Sequence, residues 1–174
     1  ASAAMRVLSI HVGKPKVITR GGREVETGIF KNLVTGPVLL RALNLDGDGQ
    51  GDLRVHGGRD KALYAYSEDA YPRWREIRPD LALSPGAFGE NLVVDNIPED
   101  KICIGDTFEI GGAVVQVTQP RFPCYKLGWK FDDTSLPGLF TAVRRPGVYF
   151  RVLTEGLIES GDALTPVDQA SDRV

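Results

Sequence analysis

The chain has 174 residues and a formal net charge of −2, from 21 basic and 23 acidic side chains. That balance excludes a surface built to grip nucleic-acid backbone, though not a local basic pocket for a small anion. A hydrophobic content of 42% excludes a disordered chain, and the length suits one domain with a full core. The two cysteines, Cys103 and Cys124, form neither a CxxC pair nor a disulfide framework, which points to a reducing compartment. There is no apolar run of membrane-spanning length and no signal peptide, so the expected location is the cytoplasm. Ala1-Ser2-Ala3-Ala4 before Met5 reads as a cloning remnant and carries no weight in the fold.

Arg6 to Val12 reads as a first strand. Lys16 to Thr19 and Glu24 to Thr27 flank Arg20-Gly21-Gly22, a hairpin turn by composition. Gly28 to Lys31 leads into a loop with Gly36-Pro37, and Val38 to Leu43 is the next strand. The loop Asp46-Gly47-Asp48-Gly49-Gln50-Gly51 matches the start of a calcium-loop template. Its last ligand position falls on Gly57, where a glutamate is required, so the loop reads as a turn-rich connector. Ala62 to Tyr66 is a strand. Ser67 to Ile77 is helical, with Pro72 placing the start of the main helix. Tyr71, Trp74 and Ile77 share one helical face and are read as core. Lys101 to Asp106 and Thr107 to Ile110 read as a hairpin, with Cys103 a packed core thiol between Ile102 and Ile104. Leu139 to Val143 is a short helix. Val148 to Leu153 and Gly156 to Ile158 close the sheet, and the chain from Thr165 on reads as a frayed tail. Many short strands with few short helices predict a mainly β, barrel-like fold in a single domain over 5–165.

The segment Gln119 to Leu127 organises the rest. Gly112 to Thr118 is a β-branched buried strand that must stop at Pro120. Pro120 and Pro123 stiffen the backbone around Arg121 and Phe122. Cys124 follows Pro123 where a helical turn can start. A thiol at a helix N-terminus, with Arg121 and Lys126 nearby, is favoured as thiolate, the form that attacks electrophiles and binds soft metals. The plainer alternative is a buried structural cysteine.

Three distant patches share small residues around a few polar ones: Arg54/His56/Gly57/Gly58, Phe88/Gly89/Glu90/Asn91 and Arg121/Cys124/Lys126. Glycine admits close backbone approach, and arginine offers a planar fork for phosphate or carboxylate. Glu90 either pairs with a buried arginine and backbone amides or acts directly. Phosphate-loop, catalytic-triad and zinc signatures are absent.

Gly51-Asp52-Leu53-Arg54-Val55-His56-Gly57-Gly58, Ala87 to Leu92, Ile104-Gly105-Asp106 and Gln119-Pro120-Arg121-Phe122-Pro123-Cys124-Tyr125-Lys126-Leu127 resemble the MOSC domain, the molybdenum-cofactor sulfurase C-terminal domain, in its YiiM-like branch. The resemblance runs from about Arg6 to Thr165. It implies a β-rich barrel-like fold and a pocket for molybdopterin-bound molybdenum, with Cys124 as thiolate ligand. By position it implies Lys31, Arg54, His56, Asn91 and Arg121 as cofactor-binding residues. It also implies reduction of N-hydroxylated compounds such as hydroxylaminopurine-type base analogues. The expected partners are a small-molecule substrate and a redox protein supplying electrons, with no nucleic acid and no membrane. The branch often carries a further helical domain at its C-terminus, which on this reading would begin where the chain ends at Val174. Full-length sulfurases carry a pyridoxal-phosphate desulfurase domain, and nothing here corresponds to one.

The residue chemistry agrees with that resemblance. Molybdenum is thiophilic, and a pterin phosphate needs cationic partners. Two other readings stay open: a carrier that holds sulfur as a Cys124 persulfide or delivers the cofactor, and a small-anion binding module without redox chemistry.

Overall fold

The computed structural model describes residues 5–50 and 57–167. The described residues form twelve strands and three short α-helices. The strands are β1 (Met5–Val12), β2 (Lys16–Arg20), β3 (Arg23–Thr27), β4 (Asn32–Val34), β5 (Val38–Leu40), β6 (Leu63–Ser67), β7 (Leu92–Val94), β8 (Thr107–Ile110), β9 (Ala113–Pro120), β10 (Val148–Thr154), β11 (Gly156–Ile158) and β12 (Ala163–Pro166). The helices are α1 (Tyr71–Ile77), α2 (Tyr125–Phe131) and α3 (Leu136–Val143).

Seven strands close a barrel in the order β12-β8-β9-β10-β6-β7-β1, sealed by β1 pairing back to β12. All pairings are antiparallel except β6 with β7. β1 is the hub. Met5 pairs with Leu164, Val7 with Val94 and Ile10 with Val34. A bulge between Val7 and Ser9 shifts the inward phase by one residue, so Val7 and Ile10 both face the core. β2 and β3 form a separate hairpin, and β5 pairs with β11.

β6 is buried along its whole length because each of its faces meets a different core. Leu63 and Ala65 join the barrel interior with Val94, Val115, Val117 and Phe150. Tyr64 and Tyr66 point outward into an aromatic cluster with Tyr71, Trp74, Phe88 and Phe140. Trp74 Nε1 donates to Tyr66 Oη at 2.9 Å, so the buried indole N–H is satisfied. The helices lie over this second core, which is why a chain with so few helical residues buries its largest side chains outside the barrel. Among the described residues no helix is long and apolar enough to cross a membrane.

Several elements differ from the sequence expectation: the loop expected after Lys31 holds β4, and the helix expected from Leu139 starts at Leu136. Lys101 to Asp106 is not a strand: Lys101 N and Ile102 N donate to Pro98 O, and Asp106 caps Cys103 N at 2.9 Å. Cys103 is therefore exposed, not packed in the core. The turn chemistry of Pro98, Gly105 and Asp106 overrides the short apolar alternation. The strand from Val38 ends at Leu40, where Arg41 turns the chain by bonding Asn44 O. α2 is a full helix with Cys124 as its N-cap residue, so Pro123 precedes the cap and is not in the first turn. Thr165 and Pro166 are not frayed: β12 pairs with β8 and β1 and closes the barrel, and Val167 N donates to Thr107 O.

Candidate functional site

The outward faces of β6 and β10 carry Tyr64 and Tyr149, stacked with centroids 4.9 Å apart. They form the floor of a pocket walled by the segments Thr27–Lys31, Asp48–Gln50, Phe88–Asn91 and Arg121–Lys126. The cavity volume is about 90 Å³, and the pocket opens to solvent. Four cationic side chains line it among the described residues, Lys31, Lys61, Arg121 and Lys126, against one carboxylate, Asp48.

Cys124 sits on this wall. Its backbone is extended, with φ −120° and ψ 176°, and its carbonyl accepts from Leu127 N as α2 begins. The thiol is half-buried and its sulfur makes no hydrogen bond among the described residues. Arg121 is buried beside it. Its guanidinium donates to Phe88 O and lies over two rings, 4.9 Å from Tyr64 and 5.2 Å from Phe140. Aromatic faces attract a weakly hydrated planar cation, so the charge is held without a carboxylate bond. Lys126 Nζ donates to Glu26 O at 3.0 Å. Lys130, one helical turn on, donates to Ala87 O at 2.6 Å and Ile29 O at 3.4 Å. Among the described residues none of these three cations of the segment 121–130 bonds a carboxylate, and their carbonyl contacts dock the Cys124 helix onto the walls.

Glu90 takes the pairing role. It is fully buried, and its carboxylate accepts from Tyr71 Oη and from Phe88 N at 3.0 Å. Burial pushes its carboxyl above the usual range, although the Tyr71 bond, the backbone N–H bonds and Arg121 oppose that. Tyr64 is raised by burial too, so it stays neutral and donates to Pro146 O at 2.7 Å.

Lys31 and Asn91 line the pocket, but both bond inside the protein. Lys31 pairs with Asp48 at 2.6 Å. Asn91 accepts from Tyr64 N at 3.0 Å and donates to Asp48 Oδ2 at 2.9 Å and His11 O at 3.2 Å. Asp48 therefore serves as an internal brace, which explains its place in the glycine-rich loop. Asp46 pairs instead with Arg41 at 2.5 Å, so the two aspartates of the calcium-like pattern serve different salt bridges. Arg54 and His56 lie outside the described residues, as do residues 1–4, Gly51 and the tail from 168. Cys124 and Arg121, Lys31, and Asn91 are brought together from three separate stretches of chain.

Sequence reading missed Asp48, Tyr64, Tyr149 and Lys130 as parts of the site. Lys130 carried a signal: it lies four residues after Lys126, so both share one face of α2. Tyr64 alternates with apolar Leu63 and Ala65, which read as strand packing alone.

A family model described as MOSC domain matches residues 52–165. The chain is 46% identical over 157 residues to the uncharacterised protein YflK of Bacillus subtilis, covering 89% of this chain and 70% of that protein. It is 35% identical over 167 residues to a protein named Reductase from Gibberella moniliformis, covering 94% of this chain and 29% of that protein. Its fold matches the crystal structure of YiiM from Geobacillus stearothermophilus with a TM-score of 0.75 and 38% identity, over 97% of this chain and 77% of that one.

Proposed function

The chain belongs to the MOSC domain family, and from that premise we propose that it binds a molybdenum–molybdopterin cofactor through Cys124 and reduces N-hydroxylated compounds. The observation that carries this reading is the donor set of one pocket: a half-buried thiol beside Arg121 and Lys126, neither of which bonds a carboxylate among the described residues. Asp48, the one lining carboxylate among those residues, is already bonded to Lys31. A soft thiolate suits a thiophilic metal, and the excess positive charge suits an anionic pterin phosphate. The residues fit the group in chemistry. In size, the cavity of about 90 Å³ takes only one end of it, and the rest would lie in the solvent-open cleft. The protein named Reductase supports the reaction class.

When bound, the metal centre supplies the two-electron chemistry that turns an N–OH compound into its amine and water, with electrons from a redox partner and two protons from solvent. The protein positions it. Cys124 is the metal ligand. Arg121 and Lys126 hold anionic oxygens, and Arg121 is kept in place by Phe88 O and the Tyr64 and Phe140 rings. Tyr64 and Tyr149 form an apolar floor that limits water. Lys31 and Asn91 hold the wall through Asp48, and Arg54 and His56 are assigned to the cofactor by the family resemblance. On this reading the protein is a cytoplasmic enzyme that works on small molecules.

The test is molybdenum per chain after expression in a host that makes the cofactor, with Cys124→Ser alongside. Near-stoichiometric metal in the parent and none in the variant supports the reading, and catalytic loss of N–OH from hydroxylaminopurine completes it. Equal metal in both proteins sinks the ligand assignment. One added sulfur on Cys124 with no metal replaces it with the carrier reading.

A further inference from the structure

Lys130 is the odd member of the cationic segment. It does not line the pocket but sits behind it. Its ammonium reaches Ala87 O in the glycine-bracketed loop and Ile29 O just after β3, while its backbone belongs to the helix that Cys124 caps. The Phe30 and Phe131 rings flank it at 5.5 and 5.4 Å. Among the described residues no carboxylate is hydrogen-bonded to it: Glu90, the anion that faces it, is occupied by Tyr71 and Phe88. The other charged or titratable groups that face it are Arg121, Lys31, Lys16 and His11. A largely desolvated ammonium held by neutral oxygens is a costly arrangement. It has two consequences for the pocket. Both wall carbonyls are turned onto Lys130, and a positive charge stands behind the wall.

We propose that Lys130 is a positioning residue for the anion pocket, joining the Ile29 and Ala87 walls to the helix that bears Cys124, so that anion affinity depends on its charge. The proposal rests on the anion-pocket reading above. Burial, helped by Arg121, Lys31 and Lys16 and opposed by Glu90, pushes Lys130 down to about 8. Its charge is therefore lost within an accessible range. A neutral amine donates more weakly to the two carbonyls and brings no field.

The test is sulfate affinity by calorimetry between about pH 6.5 and about pH 9.5, at constant ionic strength, because sulfate keeps one charge state over that range. The parent carries Cys124→Ser so that thiol ionisation contributes nothing, and Lys130→Met and Lys130→Arg are made in that background. The parent is expected to lose about fivefold in affinity from pH 7 to 9, for a pKa displaced about one unit by the bound anion. Lys130→Arg is expected to hold its affinity across the range, since guanidinium stays charged. Lys130→Met is expected to bind about tenfold more weakly at pH 7, with a flat profile. An Arg variant with the parent's pH step, a Met variant as tight as the parent at pH 7, or a parent that binds no sulfate overturns the proposal. Sulfate affinity does not depend on molybdenum content. Failed metal loading with this profile intact sinks the cofactor reading alone, and full loading with a flat parent profile sinks the role of Lys130 alone.

Discussion

Lys31 Nζ lies 2.6 Å from Asp48 Oδ1, and both side chains are buried. The same carboxylate accepts from Gly13 N at 3.0 Å and Asn91 Nδ2 at 2.9 Å, so it ties β1 and the segments on either side of the pocket together. Removing one partner of such a pair strands the other in a dry site. We expect Asp48→Ala to cost about 3–5 kcal/mol in urea unfolding. Lys31→Met made together with it is expected to recover part of that loss, because the uncompensated ammonium is gone. A cost under about 1 kcal/mol for Asp48→Ala would show that the pair is not the brace described.

The two cysteines should respond in opposite ways. Cys103 is exposed on a turn, so Cys103→Ala is expected to shift stability by no more than about 0.5 kcal/mol and leave metal content unchanged. Cys124 caps α2 without a side-chain cap bond, so Cys124→Ser should retain the fold within about 1 kcal/mol while metal content falls to background. Thermal melts beside metal analysis read both. Metal loss in a folded Cys103→Ala protein would move the ligand assignment to the wrong thiol.

Stability itself should carry the mark of Lys130. Its folded pKa, lowered to about 8, lies below the ordinary lysine value of 10.5. Between those limits the unfolded chain binds the extra proton, so stability rises with pH there, and below the folded value the full penalty of the buried charge is present. The gain is on the order of 2 kcal/mol, read most cleanly from about pH 8 to 9.5, before the buried tyrosines titrate in the unfolded chain. Lys130→Met should lack this rise. Parallel slopes for parent and variant in denaturant titrations would contradict the burial that drives the shift.

Gly28 marks a close approach of two pocket walls. A Cβ there would stand 2.5 Å from Gly49 O. The contact is with backbone, so one wall must move. We expect Gly28→Ala to cost about 1–3 kcal/mol and to weaken sulfate binding more than tenfold. Unchanged affinity in a folded variant would mean the walls can part without loss.

Much of the site was legible because its local chemistry is unusual. Pro120, Pro123 and the cysteine between cationic neighbours mark a stiff, charged turn, and the structure places Cys124 and Arg121 on the pocket wall. What stayed hidden concerns partners. Lys31 reads as a free cation in sequence, yet Asp48, seventeen residues on, is bonded to it. Cys103 between two isoleucines has the pattern of a strand, but Pro98, Gly105 and Asp106 make hydrogen-bonded turns that leave it in solvent. β12 is short and ends in proline, so its pairing with β1 had no local sign.

By itself the sequence determined the mainly β class, the strand periodicities and the chemistry of the Gln119–Leu127 segment, because these depend on neighbours in the chain. Only the tertiary structure decided that the barrel closes through β12, that β6 faces two cores, and that Asp48 and Glu90 take internal bonds while Arg121 and Lys126, among the described residues, bond neutral oxygens. Charge balance at a site is a sum over groups far apart in sequence, and folding alone sets which of them meet.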